Sequence, residues 1–225
     1  MDQDKKKLNV AKSVINFIHN DCILGMGTGS TVNCLIYLLP EIKNKISKIV
    51  SSSIETERLL RSHDFEVSQL NEVGSLDLYI DGADEATKNL HLIKGGGGAL
   101  TREKILAGSA RNFICIIDDS KLVPTLGKFP LPIEVIPMAR SFVSREIIKI
   151  KGQPIWREDF LTDNGNEIID VHNLKVLNPI DMEQIINQIP GVVTTGIFAN
   201  RPADKLLIAS DEKVEEVVVT RSDKS

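Results

Sequence analysis

Short apolar segments alternate with segments of helical period in the first half of this chain, and that alternation limits the fold most. The apolar segments of strand length are 22–24, 49–50, 76–80 and 113–117. Segments with apolar residues at helical spacing lie before or between them, at 8–18, 35–39, 54–61 and 99–109. Such alternation is typical of a parallel sheet covered by helices on both faces. The sequence therefore predicts an α/β protein with a Rossmann-like parallel sheet.

The pattern changes after Pro124, where four prolines between 124 and 137 indicate a linker or crossover. Beyond them we predict helices at 141–149 and 181–188, strands at 155–161, 167–171 and 192–198, and a hairpin turn at 163–166. We interpret this part as a smaller α+β (ferredoxin-like) inserted domain over 129–201. Strands at 205–209 and 214–219 return to the first domain, which comprises 1–128 plus 202–225.

The charge balance and the cysteines limit the classes of partner and the compartment. The chain has 225 residues and a formal net charge of −4, whereas nucleic-acid binders usually carry a basic face. No apolar stretch approaches the length of a membrane span, and the first residues do not resemble a signal peptide. Cys22, Cys34 and Cys115 are odd in number and widely spaced, which suits reduced thiols. We expect a cytoplasmic protein that binds neither nucleic acid nor membrane.

A glycine-rich turn, GMGTGST at 25–31, joins the first strand to a helix. Free backbone N–H groups at such a turn favour an anion. A nucleotide-binding P-loop would need a lysine after the last glycine, and Ser30 stands there instead. Ser30 also occupies the sixth position of the dinucleotide fingerprint, where glycine or alanine is required. A tight turn with a purely structural role has the same composition, so this segment alone leaves both interpretations open.

An acidic turn with Asp81, Asp84 and Glu85 follows the third strand. Three carboxylates this close together suit a solvated loop, a hard cation or the hydroxyls of a ligand. The carboxyl end of a parallel strand is where ligands bind in sheets of this kind. The residues alone do not choose among these alternatives.

The run Lys94-Gly95-Gly96-Gly97-Gly98 is the sharper signal. Four glycines cost much backbone entropy when they become ordered, and they let a ligand approach the main chain closely. A flexible linker has the same composition, but this run is short and lies between predicted core elements. Glu103 then falls near the start of the next helix, where a carboxylate interacts well with the helix dipole.

Together these segments supply an anion site, several carboxylates and one lysine, which suits a phosphorylated sugar. A carboxylate can remove a proton from a carbon next to a carbonyl, and Lys94 with the glycine amides can stabilise the resulting enediolate without a metal. Burial beside Asp81 or Asp84 would raise the pKa of a carboxylate base toward neutrality, and Lys94 would oppose that change.

Five segments in register resemble the type A ribose-5-phosphate isomerases over essentially the whole chain. They are GMGTGST at 25–31, DGADE at 81–85, KGGGGALTREK at 94–104, GKFPLPIEVIPMA at 127–139 and TDNGN at 162–166. The resemblance implies an aldose–ketose isomerase that interconverts D-ribose 5-phosphate and D-ribulose 5-phosphate in the non-oxidative pentose phosphate pathway. It also implies no metal, no organic cofactor, and assembly into a homodimer or homotetramer.

The resemblance also implies roles for individual residues. Glu103 matches the proton-transferring base, Lys94 the residue that stabilises the enediolate, and Asp81 and Asp84 the acids that help open the furanose ring. The substrate-binding residues implied are Thr28, Gly29, Ser30, Thr31, Asp81, Gly82, Ala83, Asp84, Lys94, Gly95, Gly96, Gly97, Lys121 and Lys7. The segment 51–56 resembles a shortened form of the family's serine-rich loop.

Two alternatives remain. The same sheet can serve a sensor that binds a sugar phosphate without converting it, although Glu103 and Lys94 favour an enzyme. A dinucleotide-dependent oxidoreductase is the other, and Ser30 in place of the third glycine counts against it.

Overall fold

The computed structural model describes residues 3–219 of the chain. Its helices are α1 (Gln3–Val14), α2 (Ser30–Ile36), α3 (Ile54–Ser62), α4 (Leu70–Val73), α5 (Leu100–Ser109), α6 (Arg140–Lys149) and α7 (Pro179–Asn187). Its strands are β1 (Cys22–Met26), β2 (Ile46–Ser51), β3 (Leu76–Asp81), β4 (Glu85–Ala86), β5 (Leu92–Ile93), β6 (Ala110–Asp118), β7 (Leu131–Val135), β8 (Gln153–Trp156), β9 (Glu167–His172), β10 (Val192–Thr195), β11 (Ile197–Phe198), β12 (Lys205–Ala209) and β13 (Val214–Val217).

The main sheet has six strands in the order β13-β12-β6-β3-β1-β2. All neighbours are parallel except β12 and β13, which form an antiparallel edge. The central strand β6 is apolar from Phe113 to Ile117 and buried along that stretch, as a strand covered on both faces must be. The predicted α/β class with a parallel sheet is confirmed.

Helices cover both faces of this sheet. On one face, Val14 of α1, Leu35 of α2 and Leu60 of α3 share one buried apolar cluster. On the other face, Leu106 of α5 packs in a second cluster with Phe113 of β6. Because α5 follows the glycine run, packing of its apolar side against the sheet fixes the position of the helix that carries Glu103.

The second unit has the element order β7-α6-β8-β9-α7-β10. Its four strands form an antiparallel sheet in the order β10-β7-β9-β8. Two β-α-β halves arranged in this way make a ferredoxin-like sheet, which confirms the predicted α+β architecture. The domain boundaries at 129 and 201 stay predictions, and 220–225 of the first domain lie outside the described residues.

Two local predictions in this region were wrong. The proline-rich stretch was predicted as a linker, but Leu131, Ile133 and Val135 alternate along β7 and are buried. The prolines concealed that alternation, because Pro132 lies within the strand itself. The predicted strand 155–161 ends at Trp156, and a loop over 157–166 separates β8 from β9.

The predicted strand 192–198 is interrupted at Gly196, and the interruption positions Lys94. Gly196 donates its N–H to the carbonyl of Pro132 at 2.7 Å and accepts the N–H of Lys94 at 2.9 Å. A Cβ atom at Gly196 would lie 2.3 Å from the Lys94 carbonyl oxygen, so only glycine allows this approach. Beyond Gly196 the chain joins a separate three-stranded sheet in the order β11-β5-β4.

Two expectations about the chain as a whole can be compared with the described residues. Cys22 and Cys115 are buried, Cys34 is half-buried, and all three are free thiols, as the prediction of reduced cysteines requires. Within residues 3–219, no helix is both long and apolar enough to cross a membrane.

Candidate active site

A cleft opens where the strand order of the main sheet reverses. The chain passes from β1 to β2 on one side and then returns to place β3 on the other side of β1. The loops after β1 and β3 therefore separate at their carboxyl ends, which is where ligands bind in open α/β sheets. The cleft there has a volume of about 240 Å³.

Nearly all of the predicted site residues line this one cleft. They are Lys7, Thr28, Gly29, Ser30, Thr31, Gly82, Ala83, Asp84, Lys94, Gly95, Gly96, Gly97, Glu103 and Lys121. Asp81 differs from them, since it lies beneath the cleft wall and is fully buried. Segments from five parts of the chain thus converge on one cleft.

Asp81 ties the two loops together. Its Oδ1 accepts the N–H of Thr28 at 3.1 Å and the N–H of Gly82 at 2.7 Å. Its Oδ2 accepts the hydroxyl of Tyr79 and lies 2.8 Å from Nζ of Lys94. Both oxygens are thus occupied by protein donors, and the position of Lys94 depends on this carboxylate.

Lys94 carries a buried ammonium group at the base of the cleft. Besides Asp81, its Nζ donates to the carbonyl of Gly82 at 2.7 Å and lies 3.3 Å from Oε2 of Glu103. Burial opposes the charge, but the carboxylates of Asp81 and Glu103 outweigh it and raise the pKa of Lys94 above its ordinary value. The side chain is therefore a fixed cation.

Glu103 lies in the first turn of α5, and only 2% of it is exposed. Among the described residues its Oε2 has no hydrogen-bond partner, because the contact with Lys94 is an ion pair without hydrogen-bond geometry. Burial, followed by the charge of Asp81, raises the pKa of Glu103 to about 8, and Lys94 opposes that change. A carboxylate with such a pKa suits a general base near neutral pH.

The glycine run turns tightly against Asp84. Gly98 donates its N–H to the carbonyl of Gly95 at 2.9 Å, and Gly96 donates to Oδ2 of Asp84 at 2.8 Å. A Cβ atom at Gly96 would lie 2.7 Å from Oδ1 of Asp84. The glycine run thus allows Asp84 to approach the main chain closely, and the close approach of a ligand stays a prediction. Asp84 also lines the cleft, where a carboxylate can accept a hydrogen bond from a ligand hydroxyl.

Cations and hydroxyls complete the lining. Lys121 lies in a short turn after β6, and Lys7 lies on α1 at 3.5 Å from Asp4. Ser30 and Thr31 begin α2 after Gly29, whose φ of 108° turns the chain into the helix. Two ammonium groups beside hydroxyls and free N–H groups can hold a phosphate.

Several residues that support the site were not among the predicted site residues, although Ser53 and Glu55 lie in the serine-rich segment 51–56. Ser53 donates its hydroxyl to that of Thr28 at 3.1 Å and caps α3 by accepting the N–H of Thr56 at 3.0 Å. Tyr79 holds Asp81, and its position two residues before Asp81 on one strand was the available signal. Glu55 and Asp118 also line the cleft.

A second cluster of possible metal ligands lies at the opposite end of the sheet. His19, Cys22 and Asp77 bring ligand atoms within 4.8 Å of one another. The oxygens of Asp77 are engaged, since one accepts the N–H of Ile23 at 3.0 Å and the other lies 3.3 Å from Arg111. The cluster is remote from the cleft and takes no part in its chemistry.

A buried ammonium between two carboxylates, at the switch point of an α/β sheet, defines an enzyme site for acid–base chemistry on a small polar ligand. Residues 48–213 match the family model of ribose 5-phosphate isomerase A (phosphoriboisomerase A). The chain belongs to the ribose 5-phosphate isomerase A family.

Solved structures agree with this assignment. Ribose 5 phosphate isomerase A from Neisseria gonorrhoeae is 44% identical, with a TM-score of 0.94 over 96% of this chain and 97% of that one. The isomerase from Methanocaldococcus jannaschii is 36% identical, with a TM-score of 0.92 over 97% and 100%. A D-ribose-5-phosphate isomerase in complex with phospho-erythronic acid is 40% identical, with a TM-score of 0.93 over 97% and 100%.

Proposed function

We propose that this chain interconverts D-ribose 5-phosphate and D-ribulose 5-phosphate by aldose–ketose isomerisation through an enediolate. The observation that carries the proposal is the buried carboxylate of Glu103, without a hydrogen-bond partner in the described part of the chain and 3.3 Å from the ammonium of Lys94. Family membership and the related structure with phospho-erythronic acid, a four-carbon phosphorylated acid, support the same substrate class.

In the proposed reaction, Lys7 and Lys121 bind the phosphate with the hydroxyls of Ser30 and Thr31. Asp84 and the loop at Thr28 hold the sugar hydroxyls. Asp84 assists ring opening, because it is the acid of the 81–84 turn that lines the cleft. Asp81 acts through Lys94 and Thr28, since its oxygens already accept from protein donors.

The proton transfer then uses Glu103 and Lys94. Glu103 removes the proton from C2 of the open-chain aldose, the electron pair forms the C1–C2 double bond, and negative charge develops on the C1 oxygen. Lys94 and the glycine-run amides stabilise that oxygen. Glu103 returns the proton to C1 while the C2 hydroxyl proton moves to the C1 oxygen, which leaves the ketone at C2. A positioned base of this kind typically contributes ~10²–10⁴-fold to the rate.

The assembly and location of the enzyme are also proposals. Large apolar side chains are exposed on the ferredoxin-like unit, including Met138 at 95% and Leu177 at 81%. Apolar side chains, methionine among them, are enriched at the interfaces between subunits. These side chains support a homodimer or homotetramer, and the free thiols of the described chain suit the cytoplasm.

The test is an assay of the purified protein with ribose 5-phosphate. We expect ribulose 5-phosphate to form and, from ribulose 5-phosphate, the aldose to form in turn. Binding of the sugar phosphate without turnover would contradict the proposal and support a sensor. A rise in the thermal midpoint on addition of NAD would support the dinucleotide-dependent oxidoreductase instead.

A further inference from the structure

Arg157 reaches from the ferredoxin-like unit to the back of the glycine run. Its Nη1 lies 3.1 Å from the carbonyl oxygen of Gly96 and 3.4 Å from that of Gly95. Its Nε donates to Oδ2 of Asp170 at 2.8 Å, and its Nη2 donates to the other oxygen of the same carboxylate. The backbone of Arg157 is fixed as well, because its N–H donates to Ile168 at 2.9 Å.

These contacts set the direction of two N–H groups. The described residues contain no cis peptide bond, and in a planar trans peptide the carbonyl and the following N–H point in opposite directions. Arg157 holds the Gly95 carbonyl, and the N–H of the same peptide, on Gly96, donates to Asp84 at 2.8 Å. The guanidinium also holds the Gly96 carbonyl, so the N–H of Gly97 points away from Arg157.

The Gly97 N–H is free to bind a ligand. Gly97 lines the cleft, and a Cβ atom there would meet no atom within 4 Å. Over residues 3–219 no protein acceptor pairs with this N–H. Gly97 is an exposed part of the cleft lining, and oxyanion sites consist of preorganised N–H donors at the place where negative charge develops.

We propose that Arg157, held by Asp170, is a positioning residue for the isomerisation. It fixes the carbonyls of Gly95 and Gly96 so that one amide holds Asp84 and the next, on Gly97, donates to the oxygen that becomes negative in the enediolate. The inference rests on the proposed function and extends it across the boundary between the two units.

An arginine suits this role better than a lysine does. Its planar fork can bind a carboxylate on one side while it donates to two carbonyls on the other, whereas an ammonium is a single point charge. The glycine run has no side chains of its own to order it, so an external clamp offsets part of its entropy cost. Phe160, from the same loop, lies under the guanidinium at 5.2 Å.

The test compares Arg157→Ala, Arg157→Lys and Asp170→Asn with the wild type. Arg145→Ala is the matched control, because Arg145 is an exposed arginine on α6 of the same unit. We expect kcat to fall about tenfold or more in Arg157→Ala and Arg157→Lys, with KM within a few-fold, since an oriented N–H donor acts mainly on the transition state. Millimolar guanidinium should partly restore Arg157→Ala.

Ligand binding separates positioning from general damage. Affinity for phospho-erythronic acid should fall with kcat in the Arg157 variants, while binding of inorganic phosphate and the thermal midpoint stay close to those of Arg145→Ala. A kcat within twofold of wild type, or an equal loss of phosphate binding, would overturn the proposal. If the wild type itself fails to isomerise, the proposed function fails, and the binding comparison alone decides the role of Arg157.

Discussion

The ammonium of Lys94 lies 3.3 Å from Oε2 of Glu103 and 2.8 Å from Oδ2 of Asp81, so one buried cation serves two buried carboxylates. The three side chains together carry a net charge of −1 when all are ionised. Protonation of Glu103 removes this excess negative charge most easily, because burial and the charge of Asp81 raise the pKa of Glu103 to about 8. The base is thereby tuned by a neighbour that does not line the cleft.

The first prediction concerns pH. Since Glu103 accepts a proton only when ionised, kcat/KM should fall as pH drops below about 8, the pKa of that group. Asp81→Asn removes the charge that raises this pKa, so the acid limb should move to lower pH even as the maximal rate falls. The measurement is kcat/KM against pH for both proteins. If the acid limb of the pH profile lay at the same pH in Asp81→Asn as in the wild type, Asp81 would not be raising the pKa of Glu103.

The second prediction concerns the contact between Gly27 and Asp81. A Cβ atom at Gly27 would lie 1.9 Å from Oδ1 of Asp81, so Gly27→Ala must displace that carboxylate and with it Lys94. We expect activity to fall at least ~100-fold, comparable to losing an oriented electrostatic group. Gly108→Ala on α5 is the control, because a Cβ there meets nothing within 4 Å. It should retain activity and gain about 0.5 kcal/mol of stability. Equal activity of the two variants would contradict the assigned role of the contact.

Sequence reasoning located the site because parallel strands bring their carboxyl ends to one edge of a sheet. The glycine turn at 25–29 and the acidic turn at 81–85 each come at the end of a strand, and that rule predicts that they meet. Lys121 was assigned to the site by the resemblance alone. The residues alone did not decide whether the acidic turn faces solvent, binds a cation or binds ligand hydroxyls. The resemblance to the family implied the catalytic roles of Asp81 and Asp84. The structure adds that Asp81 is saturated by protein donors.

The parts that sequence reasoning missed depend on contacts between distant segments. Arg157 lies in a loop that was predicted to be a strand, and nothing near it in the chain points to Gly96. The break at Gly196 was missed, although a glycine within a strand pattern often marks a close backbone approach. The residue that makes this approach, Lys94, is distant in the chain. The four prolines between 124 and 137 concealed β7, because they were interpreted as a linker or crossover although apolar residues alternate along the strand.

The third prediction concerns the phosphate. Lys121→Ala should raise KM for ribose 5-phosphate about tenfold, the loss expected for one charge-assisted contact, with a smaller change in kcat. Lys7→Ala should act in the same direction. Lys12→Ala is the control on α1, where Lys12 is exposed and absent from the cleft lining. A KM unchanged in Lys121→Ala would place the phosphate elsewhere.

The fourth prediction concerns metals. The proposal assigns stabilisation of the enediolate to the ammonium of Lys94 and to main-chain amides, so EDTA should leave kcat and KM unchanged. The measurement is a progress curve before and after dialysis against EDTA. If EDTA removed the activity and a divalent cation restored it, the acidic turn at Asp81 and Asp84 would be a metal site.

The fifth prediction concerns Glu103 itself, tested by Glu103→Gln in deuterium oxide. The amide keeps the shape of the side chain but cannot accept the C2 proton. We expect kcat to fall ~10²–10⁴-fold, and exchange of that proton with solvent to fall with it. Affinity for phospho-erythronic acid should stay within a few-fold of wild type, which shows that the cleft is intact. Near-normal turnover or exchange in this variant would contradict the transfer of the proton between C2 and C1 by Glu103.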